Sequence, residues 1–141
     1  STYPKPPHNV FIVGHECFVG CEATRHNDDC IQRHYSQIIE SVYVEEQLAR
    51  AADMARCIGV EGGVEAVPYM LDIDLDVFHT VAATEPNDAA SFHRLIHGAL
   101  AVTIATEPEF VAGHWWRGEK TKLTADQVLE RVLGHVERAM Q

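Results

Sequence analysis

Three aspartates, Asp72, Asp74 and Asp76, alternate with Ile73, Leu75 and Val77 in the stretch PYMLDIDLDVFHT, directly behind the apolar residues Tyr69, Met70 and Leu71. Side chains repeat every two residues along an extended strand, so the three carboxylates share one face of the strand end and the turn after it. Like charges so placed raise one another's pKa unless a cation neutralises them. Hard carboxylate oxygens suit Mg²⁺, Mn²⁺ or Ca²⁺, and Mn²⁺ also accepts imidazole. The pattern points to a bound divalent metal, set against the plainer expectation of a solvated acidic loop whose aspartates cap backbone amides.

Other groups of ligand type lie upstream. Gly14, His15 and Glu16 follow an apolar run, and Arg25, His26, Asn27 and Asp28 contain an H-x-D pair. His15, Cys17, Cys21, His26 and Cys30 fall within sixteen residues, a density of soft donors that suggests zinc. Their spacing fits neither the C-x-x-C nor the paired-histidine frameworks of common zinc sites, and buried or loop thiols are the preferred expectation. With Cys57 the cysteines number four, too few and too uneven for a disulfide scaffold. Reduced thiols in a cytoplasmic protein follow.

The elements that must position these groups are read from periodicity. Residues 1–8 carry three prolines and form an irregular lead-in, whereas NVFIVG (9–14) is an apolar, β-branched run closed by glycine, as in a strand buried on both faces. HECFVGCEATRHNDDC is expected to be loop. From Ile31 to about Gly59 the pattern is mostly helical, with Leu48, Ala52, Ala55 and Ile58 as one stripe, although Val42-Tyr43-Val44 also suits a strand. YMLDID and AVTIAT (101–106) read as strands. NDAASFHRLIHGAL between them reads as a helix capped by Asn87 or Asp88, and the region 107–122 as a loop. A final helix opens on the capping box Thr124 and Gln127, with Val128, Leu129, Val132, Val136 and Met140 on one face. Strands alternating with helices predict an α/β fold, a three-layer αβα arrangement around a mainly parallel sheet, whose ligands collect beyond the carboxyl ends of the strands.

At 141 residues and 46% hydrophobic, residues 1–141 suffice for a single α/β domain. Twenty-one acidic residues against eleven Lys plus Arg give a net charge of −10, which disfavours nucleic acid and anionic membranes as partners and favours a metal ion, an amine or a guanidinium. No apolar run approaches the roughly 20 residues that cross a bilayer.

The stretch YMLDIDLDVF resembles the third metal motif of the arginase and deacetylase superfamily, and is most similar to its ureohydrolase branch that includes peptide arginases. Aligned on the ureohydrolase motif, Asp72 and Asp74 are the implied ligands; aligned on the deacetylase form, Asp74 and Asp76 are. His15 corresponds to the first-motif histidine, and His26 and Asp28 to the H-x-D of the second, with Thr24 where that motif has its first aspartate. The resemblance implies two Mn²⁺ ions that activate a bridging water and hydrolysis of an arginine side chain, free or in a peptide, to ornithine and urea. It also implies that Glu107, with Glu109 beside it, reads the guanidinium through a carboxylate fork. The family domain is about twice this length, so the fold implied is an incomplete one. His79, directly after the aspartates, is placed to shuttle a proton.

Two other functions start from the same letters. Asp74-Leu75-Asp76 followed by Val77 has the form of the nucleophile and acid of Mg²⁺-dependent, aspartate-based phosphohydrolases. Alternatively the chain is a non-catalytic metal-binding module, acting as a homo-oligomer or with a complementary chain that completes its site.

Overall fold

The computed structural model describes residues 10–14, 17, 21–32, 34–113 and 115–141. Its elements are helices α1 (Asp28–Gln32) and α2 (Ser41–Arg56), strand β1 (Met70–Asp74), helix α3 (Ala90–Gly98), strand β2 (Ala101–Ala105), and helices α4 (Pro108–Gly113) and α5 (Ala125–Ala139). Single 3-10 turns lie at Tyr35–Gln37, Val64–Ala66, Leu75–Val77 and Ala82–Thr84. The fold is mixed helix and strand.

β1 and β2 pair in parallel, with Met70 opposite Ala101 and Asp74 opposite Ala105. α3 makes the crossover between them, as a parallel pair requires. The period of two turns Leu71, Ile73, Val102 and Ile104 towards the core, and leaves Met70, Asp72 and Asp74 exposed with Ala101 and Thr103. Below the inner face lie Leu75 and Phe78 after β1, Phe92 and Ile96 of α3, Val111 of α4, and Val128 and Val132 of α5, all buried. Burying each such side chain contributes about 1.5–3 kcal/mol.

α2 is helical from Ser41, so Val42, Tyr43 and Val44 join a helix and not a strand: Tyr43 and Val44 reach the core while Val42 faces outward. The buried stripe is Tyr43, Val44, Gln47, Ala51 and Ala55, rotated from the expected one, and Ile58 lies beyond the helix with 43% of its surface exposed. Gly59, at φ 82°, takes the left-handed conformation that stops the chain there. α3 begins at Ala90 with Ala89 at its N-cap, and not Asn87 or Asp88 as expected; the Asp88 carboxylate accepts the Ala90 N–H at 2.9 Å from one residue further out. Arg94 of α3 binds Glu65 through two nitrogens at 2.8 and 3.1 Å and meets Glu45 of α2 at 2.7 Å. α5 starts with the capping box: the Gln127 N–H donates to Thr124 Oγ1 and the Thr124 N–H to Gln127 Oε1.

Three expectations are corrected. The stretch ending in NDDC is not loop throughout, because α1 begins at Asp28. Residues 10–14 are not in a strand: Val10 and Ile12 are 45% and 75% exposed, and an apolar run becomes a strand only where another strand pairs with it. The region 107–122 is not all loop, because α4 occupies Pro108–Gly113, with proline at the first helical position where its missing N–H costs nothing. Residues 1–8 and His15 lie outside the described residues. Among the described residues no helix is long and apolar enough to cross a membrane.

Candidate metal centre

Before α1 the segment CEATRHN (21–27) has neither helical nor strand periodicity, and polar contacts at Asn27 set how it enters the helix. Asn27 caps α1: its side-chain oxygen accepts the Cys30 N–H at 3.4 Å, and its carbonyl accepts the N–H groups of Cys30 and Ile31 at 3.0 and 3.2 Å. Cys30 is thereby fixed in the first turn, 3% exposed. Upstream, Tyr43 donates its hydroxyl to the Gly14 carbonyl at 2.5 Å and Arg50 a guanidinium N–H to the Cys17 carbonyl at 2.7 Å, so α2 holds Gly14 and Cys17 in place.

These anchors bring four donors together. Cys30 Sγ lies 2.7 Å from Cys17 Sγ, 3.1 Å from Cys21 Sγ and 3.8 Å from His26 Nδ1, and His26 Nδ1 is 3.3 Å from Cys17 Sγ. All four ligand atoms fall within 4.8 Å of one another, the one group of three or more His, Cys, Asp or Glu that does so among the described residues. A tetrahedral site with metal–sulfur bonds of about 2.3 Å has edges of about 3.8 Å. Four donors already clustered at that scale need to spread by about an ångström at their closest pair to hold one ion.

The protons tell the same story. Hydrogen bonds with Cys17 and Cys21, then burial, push the Cys30 thiol up to about 12. Without a cation the Cys30 sulfur keeps its proton; a divalent ion replaces it. Three thiolates and a neutral imidazole around one dication leave a single negative charge. Thiolate is a soft donor, and such a set suits zinc better than Mn²⁺.

No family model, no curated protein and no solved structure matches this chain. What the centre can hold rests on its own geometry.

The aspartates sit elsewhere in the fold's logic. Asp72 and Asp74 are on the exposed face of β1, where Thr103 donates its hydroxyl to Asp72 at 2.6 Å, and Asp76 is half-buried in the following 3-10 turn. Burial first, then the charges of Asp76 and Asp72, raise the Asp74 carboxyl above the ordinary range. Asp74 therefore feels the two neighbouring charges, without the oxygens of the three carboxylates forming a second close group among the described residues. Glu107 and Glu109 are exposed beyond β2; Glu107 has φ 26°, the one non-glycine positive φ among the described residues, and its carbonyl accepts the N–H groups of Phe110 and Val111. His79 is half-buried against Tyr35, ring centroids 4.4 Å apart, and its carbonyl accepts the Trp116 N–H. His26 faces the three sulfurs, and Asp28 opens α1.

Reasoning from sequence put His26 in a carboxylate site and left Cys17, Cys21 and Cys30 as loop thiols. The density of soft donors was the signal. Familiar zinc spacings describe ligands in tight turns, whereas here Cys17 and Cys21 come from irregular chain and Cys30 from a capped helix, so the spacing is set by Asn27 and Arg50.

Proposed function

We propose that this chain is a zinc-binding module in which Cys17, Cys21, His26 and Cys30 hold one Zn²⁺ that fastens the segment before α1 to the helical body. The observation that carries this reading is the approach of all four donor atoms to within 4.8 Å of one another. Four protein ligands fill a tetrahedral zinc, which is the arrangement of structural and not of catalytic sites. The module needs no reaction of its own; its task is to present a folded surface.

The test is a zinc titration of metal-free, reduced protein. One Zn²⁺ binds per chain, and Cys30→Ser weakens binding by more than about 100-fold, since loss of mere outer-shell partners already costs 10–100-fold. Absence of uptake, or an affinity unchanged in Cys30→Ser, would remove the proposal.

A second reading, hydrolysis of an arginine guanidinium by bound Mn²⁺, is favoured by one feature. The parallel register sets Asp74 opposite Ala105, so the acidic groups Asp74 and Asp76 and the strained Glu107 lie at the same, carboxyl ends of the two strands, where ligands of α/β sheets bind. In this reading the two strands belong to a three-layer αβα sheet, Asp72, Asp74 and Asp76 hold metal, Glu107 and Glu109 meet the substrate and His79 moves a proton. Urea release from an arginine-containing peptide by Mn²⁺-loaded protein, lost in Asp74→Asn, is the expected result. Protein that binds Mn²⁺ and releases no urea sinks it.

A further inference from the structure

The three sulfurs of the centre are not equivalent. Cys30 is the hub, within 2.7 Å of Cys17 and 3.1 Å of Cys21. It also borders an open cavity of about 340 Å³ with Thr24, Arg25 and Asn27, so a recess large enough for a small neutral oxidant adjoins the hub residue. Cys17, the nearer partner, is anchored to α2 through the Arg50 contact to its carbonyl. From this geometry we infer that the centre is a redox switch: hydrogen peroxide joins Cys17 to Cys30 as a disulfide, and the zinc is released. The inference rests on the zinc reading.

The step balances without a further reagent. With the protons already displaced by zinc, the Cys30 thiolate attacks one peroxide oxygen; the O–O bond breaks, leaving a sulfenic acid on Cys30 and a hydroxide. The Cys17 sulfur then attacks the Cys30 sulfur; the S–S bond forms, the S–O bond breaks and a second hydroxide leaves. Each sulfur loses one electron, the peroxide gains two, and two protons from solvent turn the hydroxides into water. Zinc is left with Cys21 and His26 alone, and two ligands do not hold it against water.

The experiment uses the full chain carrying Cys57→Ser, which removes the exposed thiol outside the centre and with it cross-linking between molecules. Bound zinc is measured first. Peroxide is then added, released zinc is followed with a chromogenic chelator, and disulfides are mapped by mass spectrometry. The expected result is one zinc released per Cys17–Cys30 disulfide, with full zinc uptake restored by dithiothreitol. A chain that carries no zinc before peroxide overturns the zinc reading and the switch together. A chain that holds zinc and keeps it through oxidation, or loses it with Cys17 and Cys30 unlinked, overturns the switch alone.

Discussion

His135 shows how much one residue's surroundings decide. It is 4% exposed on α5, donates Nε2–H to the Thr84 carbonyl at 2.9 Å, and so must accept at Nδ1, where His93 Nε2 of α3 arrives at 2.9 Å and Arg138 at 3.2 Å. Burial, then the Arg138 charge, lowers its pKa, against the opposing effect of the Thr84 carbonyl; burial, then His135 and Arg138, lowers that of His93. Both histidines are therefore held neutral, and the unfolded chain, with its ordinary value of 6.5, takes protons first. Stability is full above that value and falls as the pH drops below it, by at most about 1.4 kcal/mol per pH unit for each histidine. Urea unfolding between pH 7.5 and 5 should show this decline, and His135→Gln, which keeps a donor for Thr84, should flatten it. An unchanged slope would mean that another group carries the acid sensitivity. Nothing in the sequence distinguishes His135 from the eight other histidines; besides Arg138 on the same helix, its partners lie 42 and 51 residues away.

Helix α5 is the element whose local code and structure agree most closely. Its capping box and its stripe of Val128, Leu129, Val132 and Val136 are both legible, because caps and a 3.6 period act over one or two turns, whereas Met140, expected on the same face, follows the helix and is 61% exposed. Thr124→Ala should cost about 1 kcal/mol, measured as a lower midpoint in urea with an unchanged slope, while an unaltered midpoint would mean the helix start is held by tertiary contacts alone. α2 was legible as a helix but not in its orientation: Tyr43 and Gln47 are buried because neighbouring chain covers them, not because of their own polarity. The apolar run at 9–14 shows the opposite failure. Its composition suits a strand, yet strand formation depends on a partner that the run itself does not specify.

For the molecule as a whole, the zinc reading makes stability a matter of ligand concentration. A metal that binds only the folded chain stabilises by about 2.7 kcal/mol at one hundred times its dissociation constant, or roughly 10 °C in melting temperature for a chain of this size. Saturating zinc should raise the melting temperature by that order and a chelator should reverse it; a melting temperature indifferent to both would separate the four donors from the fold. By itself the sequence determined the residue types: the longer helices α2, α3 and α5 from their periods, two strands from YMLDID and AVTIAT, an acidic surface from composition, and the presence of both hard and soft ligand sets. These are local properties, and local spacing encodes them. Tertiary structure alone decided which set converges. Cys17, Cys21, His26 and Cys30 meet because Asn27 caps α1 and Arg50 reaches across from α2, whereas Asp72 and Asp74 stay on an open face of β1. Contacts between distant segments fix donor distances, and no spacing along a chain can state them.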